Sequence, residues 1–201
     1  MRMRALFIAR GAVIALMLTA VASTAEAGTV LDDYLALPAD LLPEALRDPA
    51  ARSSGVVLKD TRNGYLEVEV SGSRHSVALF TRKTGPRLLA MSGYEDVCEP
   101  YLRFFTTSPN GTWREVTTEI LAPLKLEELK DAVNKRHENL VPEGDGTVCS
   151  LGCSFTYQLP RHGTTILVKD AGPGHVDKAG TPMTVAELRW NRSAFELHPI
   201  R

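Results

Sequence analysis

One loop of this chain carries the residue types that acid–base chemistry requires. Asp170, His175 and Asp177 fall within eight residues, in the segment Asp-Ala-Gly-Pro-Gly-His-Val-Asp. An imidazole flanked by carboxylates can act as a general base, and the same groups can bind a metal. Long loops on a rigid scaffold often carry function, but glycine, proline and aspartate are also what a solvated loop contains. The pattern therefore predicts candidate catalytic residues, with an ordinary surface loop as the alternative.

The three cysteines of the predicted mature chain are Cys98, Cys149 and Cys153, and an oxidising compartment would favour a disulfide between two of them. Three is an odd number, so one thiol is expected to stay free. A Cys149–Cys153 bridge needs a tight turn at Gly152, because an extended strand would place the two Cα atoms about 13 Å apart. A bridge from Cys98 to either partner would close a loop of roughly 50 residues and stabilise the fold by about 4 kcal/mol. Both arrangements stay open.

Metal binding is the alternative use of these side chains. His162 and His175 could complete a zinc site, but the spacing Cys-x3-Cys-x8-His-x12-His matches no familiar zinc finger. An acidic loop with Glu95, Asp96 and Glu99 could bind Ca²⁺, yet its carboxylates lack EF-hand spacing. We therefore predict no metal and no other cofactor.

Familiar catalytic motifs are missing from the sequence. It contains no G-x-S-x-G nucleophile elbow, no G-x-x-x-x-G-K-[ST] phosphate loop and no H-E-x-x-H zinc motif. Aromatic side chains could stack on a carbohydrate, but on half-buried strands such residues more often build the core, which is the role we predict. These aromatic residues are Phe104, Phe105, Trp113, Phe155, Tyr157 and Trp190.

The first 27 residues have the three parts of a secretory signal peptide. Arg2, Arg4 and Arg10 make the start positive, residues 11–22 form an apolar run, and residues 25–27 read Ala-Glu-Ala, a small-x-small cleavage site. The apolar run is shorter than the roughly 20 residues that a membrane-spanning helix needs. We therefore expect cleavage after residue 27 and an exported protein, either periplasmic or extracellular.

The mature chain, residues 28–201, is predicted to form one soluble β-rich domain beginning at Gly28. Residues 1–27 contain three arginines and one glutamate. Without them the mature chain has 20 basic and 23 acidic residues, a formal charge of −3. A nucleic-acid-binding protein usually shows a basic excess. No second apolar segment approaches membrane-spanning length, so we expect neither a nucleic-acid partner nor a membrane span.

Alternating apolar residues and turn signals predict antiparallel strands. Leu66, Val68 and Val70 alternate with polar neighbours, which is typical of a half-buried strand over 64–70. Asn63 and Gly64 form a hairpin signal before it. Further strands are predicted at 76–81, 87–91, 101–106, 112–117, 154–159, 164–169, 184–190 and 194–197.

Helical spacing is strongest near residues 124–138, where Leu126, Leu129 and Val133 share one face. A short helix is also predicted over 38–51, and an extended lead-in over 28–34. The expected fold class is therefore α+β, mainly antiparallel β, with the 124–138 helix packed on the sheet.

Two meander blocks of the sequence resemble each other. Each has a strand, a turn with Gly85 or Gly163, another strand and a final aromatic hairpin that ends at Trp113 or Phe195. The glycine-to-aromatic separations are 28 and 32 residues. Internal duplication would explain the likeness, but antiparallel meanders are built from the same few parts, so both explanations stay open.

Two hypotheses about function follow. The first is an exported, non-enzymatic binding or accessory domain that recognises an envelope protein or a small ligand; the compact meander pattern and the missing motifs favour it. The alternative is a small exported hydrolase that uses His175 with Asp170 or Asp177.

Overall fold

Ten antiparallel strands dominate the fold in the computed structural model, which describes residues 28–95, 100–137, 155–170 and 183–200. The first six strands form one sheet and the last four a second, and every pairing joins strands that are consecutive in the chain. This confirms the predicted mainly antiparallel α+β class. The strands are β1 (Val56–Asp60), β2 (Tyr65–Val70), β3 (Ser73–Phe80), β4 (Leu88–Tyr94), β5 (Pro100–Thr107), β6 (Trp113–Glu115), β7 (Phe155–Gln158), β8 (Thr165–Asp170), β9 (Thr184–Trp190) and β10 (Phe195–Pro199).

Short helices precede and separate the two sheets. The predicted 124–138 helix is confirmed as a 3₁₀ turn followed by α4, which packs Val133 into the core. The described α-helices are α1 (Val30–Leu35), α2 (Pro49–Ser54), α3 (Thr117–Leu121) and α4 (Leu126–His137). The 3₁₀ turns are Ala39–Leu41, Glu44–Leu46 and Ala122–Leu124.

The N-terminal layer, residues 28–54, differs from the sequence prediction. The predicted lead-in over 28–34 is mostly helix α1, because Thr29 and Asp32 form a capping box in which each side chain bonds the other residue's backbone N–H. The predicted helix over 38–51 is wrong: two separate 3₁₀ turns of three residues each lie in that range, and α2 starts only at Pro49. Proline suits a first helical turn but interrupts a helix interior, so the prolines divide this segment.

The first sheet, β1–β6, is covered on both faces. One face packs against the N-terminal layer, where Tyr34, Leu37 and Leu46 are buried on Leu66, Leu89 and Phe105. The other face packs against the second sheet, β7–β10, through an aromatic cluster. That cluster comprises Phe80, Phe104, Trp190 and Phe195.

Among the described residues, the second sheet is covered on one face only. In β8, Ile166 and Val168 are buried while Thr165, Leu167 and Lys169 are partly exposed. This alternation is the pattern of a half-buried antiparallel strand, and the strand lies where the sequence predicted one, over 164–169.

Specific polar contacts tie the two sheets together. The Ser92 hydroxyl donates to the Tyr157 carbonyl at 2.7 Å, and Trp190 Nε1 donates to the Thr81 carbonyl at 2.9 Å. Because a buried indole N–H needs an acceptor, the second bond fixes the position of the Trp190 ring within the aromatic cluster.

The two predicted meander blocks have matching first turns. Gly85 joins β3 to β4 and Gly163 joins β7 to β8, and both glycines have φ of +83°. Glycine adopts this conformation without the strain that a side chain would add. Tight turns in unrelated proteins also use glycine in this way, so internal duplication stays a prediction.

Candidate functional site

A cleft of about 740 Å³ opens between helices α3 and α4 and the strands β5 and β7. We call it the α4 cleft. Its apolar floor consists of Pro100, Leu121, Leu126, Phe155 and Tyr157. Its polar rim consists of Thr118, Lys125, Glu127, Glu128 and Lys130. A concave apolar surface with a few polar groups at its edge is what small-ligand sites usually share.

The corner between α3 and α4 shapes this cleft. At the start of α3, the Thr117 hydroxyl accepts a hydrogen bond from the Phe104 backbone N–H at 2.9 Å, which attaches the helix to β5. Pro123 lies in the 3₁₀ turn that follows, and Lys125 adopts a left-handed φ of +51°. This conformation redirects the chain between α3 and α4, and residues of both helices line the cleft.

Tyr157 and Lys125 keep fixed charge states near neutral pH. Burial, together with the charge of Glu127, raises the pKa of Tyr157 to about 12, so its phenol stays protonated. The hydrogen bond from Lys125 to Glu128, 2.9 Å long, raises the pKa of the lysine and keeps it charged. Acid–base catalysis at neutral pH works best with a pKa near 7, and both shifts move away from that value. Neither of these two groups is therefore suited to proton transfer at neutral pH.

A second depression, the apolar groove, lies along the other flank of α4. It measures about 650 Å³ and is formed by α4 and the last two strands. Leu129, Val133, Val185, Leu197 and Ile200 contribute to it. It has fewer polar side chains to orient a ligand, so we place the candidate site in the α4 cleft.

The predicted catalytic residues are only partly described. Asp170 ends β8, where its side chain is 2% exposed on the face toward the first sheet, opposite Phe155 in the strand register. Its backbone N–H donates to the Met183 carbonyl at 2.9 Å. His175 and Asp177 lie outside the described residues. The structure therefore places one member of the predicted set, at a buried position.

The predicted disulfide and metal residues lie mostly outside the described part as well. Cys98, Cys149 and Cys153 are not among the described residues. His162 is exposed in the turn between β7 and β8. Within the described ranges, no group of three or more histidine, cysteine or acidic side chains is arranged to hold a metal ion.

The acidic loop considered for Ca²⁺ is described only at its start. Glu95 forms an ion pair with Arg103, which also donates to the Leu41 carbonyl at 3.4 Å. Asp96 and Glu99 lie outside the described residues. This carboxylate is therefore already engaged by a cation of the first sheet.

The predicted core role is confirmed for the four most deeply buried of the aromatic residues. Phe104, Phe105, Phe155 and Trp190 are at most 6% exposed. Trp113 and Tyr157 are partly exposed and pack against the two core clusters. A flat carbohydrate-stacking platform would need exposed ring faces, so the buried rings cannot form one.

The sequence analysis did not identify His75, which lies one residue before the strand predicted over 76–81. Its side chain is 1% exposed, and its Nδ1 lies 2.9 Å from the Tyr101 hydroxyl. Burial lowers the pKa of His75, so the ring is neutral at ordinary pH. The alternation Ser73, His75, Val77 places the histidine on the same strand face as a buried valine, and this was the signal that could have revealed it.

A glycine makes room for this histidine. Gly93 in β4 pairs with Tyr101 in β5, and a Cβ on Gly93 would overlap Nδ1 of the His75 ring. The imidazole therefore crosses β4 above the glycine to reach the tyrosine. On the same side of the sheet, the Tyr34 hydroxyl and His75 Nε2 are buried and have no hydrogen-bond partner among the described residues.

Comparisons of the chain with known protein families, with curated proteins and with solved structures found no match. Within the described ranges, no helix is long and apolar enough to cross a membrane. Function must therefore be argued from the chemistry of the site, because a fold alone does not specify an activity.

Proposed function

We propose that the protein is an exported, non-enzymatic binding domain whose ligand occupies the α4 cleft. The observation that supports this most directly is the shape and chemistry of that cleft: an apolar floor, a polar rim and about 740 Å³ of space. Its charged rim is nearly balanced, since Lys125 and Lys130 face Glu127 and Glu128. A neutral or weakly charged amphipathic ligand fits these features best.

The export part of the proposal is supported by the amino-acid sequence. The basic start, apolar run and Ala-Glu-Ala site of residues 1–27 together match the pattern of a secretory signal peptide. The expected partners are an envelope protein or a small ligand of the periplasm or medium. The small net negative charge of the mature chain argues against a nucleic-acid partner.

The hydrolase alternative is supported by the amino-acid sequence alone. It needs His175 beside Asp170 or Asp177, and among these only Asp170 is described, at a buried position. No described contact favours it over binding.

A matched pair of threonine substitutions tests the binding site. Thr118→Arg would fill the rim of the α4 cleft, whereas Thr164→Arg adds the same side chain at an exposed turn residue on the second sheet. Tagged, processed protein of each type would be incubated with envelope extract, and bound proteins and small molecules would be identified by mass spectrometry.

We expect the wild type and Thr164→Arg to retain the same component, and Thr118→Arg to lose at least about 90% of it. Loss of 90% corresponds to about 1.4 kcal/mol of binding free energy. Equal retention by all three proteins would exclude the α4 cleft as the site. If the wild type retained no component even when the envelope extract was in large excess, this result would count against the binding function itself.

A further inference from the structure

Gly28, the predicted first residue of the mature chain, lies in a cluster of charged groups. Arg87 donates from Nη1 to the Gly28 carbonyl at 2.5 Å and from Nη2 to Asp33 Oδ2 at 2.8 Å. Both side chains of the ion pair are partly buried, with 28% of Arg87 and 16% of Asp33 exposed. One guanidinium group therefore holds residue 28 and helix α1 against the first sheet.

Two carboxylates lie close to the backbone nitrogen of Gly28. A Cβ placed on Gly28 would be 3.7 Å from Asp32 Oδ2 and 3.7 Å from Asp33 Oδ1. The nitrogen is about 2.5 Å from such a Cβ, so it lies within about 6 Å of both oxygens. A positive charge at that distance interacts favourably with a carboxylate, more strongly where the group is partly buried.

Two carboxylates and two cations surround this point. Asp32 and Asp33 are negative, Arg87 is the cation in direct contact, and Lys59 acts on Asp32 through space. Burial raises the pKa of Asp33, and the charge of Arg87 opposes that rise. Asp32 is held ionised by hydrogen bonds from the Thr29 N–H and hydroxyl.

We infer that removal of the signal peptide creates an α-ammonium group on Gly28 that pairs with Asp33 and Asp32. The inference rests on the proposed export and deepens it. Hydrolysis of the Ala27–Gly28 bond consumes one water, gives Ala27 a carboxylate and leaves Gly28 an amine that is protonated at neutral pH. Processing thereby replaces a neutral amide by a cation at the point where α1 meets the first sheet, and this fastens the N-terminal layer.

The identity of residue 28 agrees with this arrangement. A Cβ there would come 3.3 Å from Asp32 Cβ, a tight contact that would press the chain away from α1. Glycine therefore permits the close approach of the new terminus to both carboxylates, and it is also a small residue of the kind that signal cleavage sites favour.

Titration of the α-amine tests the inference in the processed protein. The full chain would be expressed in a bacterium with an export pathway, and the intact mass of the exported protein would establish its first residue. The pH dependence of acylation of the N-terminal amine, followed by mass spectrometry of the N-terminal peptide, then gives the pKa of that amine. We expect a value raised by on the order of one unit above the usual 7.7–8.0.

Two substitutions separate pairing from a general charge effect. Asp33→Asn should bring the pKa of the amine back toward its usual value, whereas Asp40→Asn removes an exposed carboxylate from the same layer and should change it little. If Asp33→Asn does not fold, the wild-type titration decides alone. An ordinary pKa in a protein that begins at Gly28 overturns the pairing but leaves export intact. A mature chain that begins at another residue, or retains the signal, overturns both.

Discussion

The two sheets of this protein bury their residues in different ways. The first sheet has an apolar layer on each face, the N-terminal layer on one side and the second sheet on the other. The second sheet packs on one side only, and the outer face of its described strands is polar or partly exposed. In the middle of the first sheet, Leu88, Leu89, Ala90 and Met91 are all at 0% exposure, whereas β8 alternates.

This difference explains why the same kind of strand gives two kinds of sequence pattern. A strand that is covered on both faces has no polar side and reads as a continuous apolar run, while a strand covered on one face alternates. Strand β4 of the first sheet should therefore be sensitive to substitution at every central position, and β8 of the second sheet only at every other position.

The largest expected contrast is between two leucines, Leu89 and Leu167. Leu89→Ala removes a side chain at 0% exposure from the first sheet and should lower the free energy of unfolding by about 2–5 kcal/mol. Leu167→Ala acts on the partly exposed face of the second sheet and should cost about 1 kcal/mol or less. Urea unfolding of both variants measures the contrast, and equal losses would contradict the one-sided burial of β8.

A glycine pair should sharpen the comparison. Gly93→Ala would drive a methyl group into the His75 ring and should cost about 1–3 kcal/mol by overpacking. Gly163→Ala has open space around it, and only its positive φ should cost about 1–2 kcal/mol. Adding His75→Ala should restore part of the stability lost in Gly93→Ala. It should leave the cost of Gly163→Ala unchanged, because the two sites share no contact. Thermal or urea unfolding of the double variants decides this.

The pH dependence of stability should also differ between the sheets. The folded-state pKa of His75 is lowered by burial, so the unfolded chain binds the proton more readily. The stability is therefore complete above the unfolded value of about 6.5 and falls as the pH decreases toward the folded value. The slope from this one site is at most about 1.4 kcal/mol per pH unit.

His75→Gln should remove that slope between pH 6.5 and pH 5, since glutamine does not titrate. The matched control is His162→Gln, the same substitution in the exposed turn of the second sheet. Urea unfolding at a series of pH values provides the measurement, and an unchanged slope in His75→Gln would show that other groups cause it.

The smallest effect is expected at the exposed ion pair between the sheets. Arg161 Nε lies 2.9 Å from Asp60 Oδ2, and Asn63 Nδ2 lies 3.1 and 3.0 Å from the two oxygens of the same carboxylate. Together they lower the pKa of Asp60 to about 2, with the Asn63 side chain as the larger cause. Asn63→Ala should therefore raise this pKa toward 3.8 more than Arg161→Gln does, as measured by NMR titration. If Arg161→Gln raised the pKa of Asp60 more than Asn63→Ala, the ion pair between the sheets would contribute more to that pKa than the hydrogen bonds of the local turn.

Local patterns predicted much of this fold. The alternation in β2, the turn at Asn63 and Gly64, and the helical spacing of α4 each express a periodicity that neighbouring residues determine. Gly64 indeed has a positive φ of +66°. Strand β1 and helix α1 were missed, because β1 is short and irregular in register, and α1 is only six residues long and depends on packing against the first sheet.

The candidate site was predicted less well than the fold. The α4 cleft joins helices to β5 and β7, strands that are about 50 residues apart in sequence, and no local pattern encodes that approach. His75 was missed because the predicted strand began at 76, three residues after the actual start of β3 at Ser73, and this left the histidine outside the alternation.

The strictly sequential strand order has a consequence for how the chain folds. Since each described pairing joins consecutive strands, the contacts of the first sheet are local and can form quickly, before residues 155–199 are available. During that interval the face with Phe80 and Phe104 has no second sheet to cover it. Transiently exposed apolar surface of this kind promotes aggregation. Chains that stall or end before β7 should therefore aggregate more readily than chains that complete the last four strands.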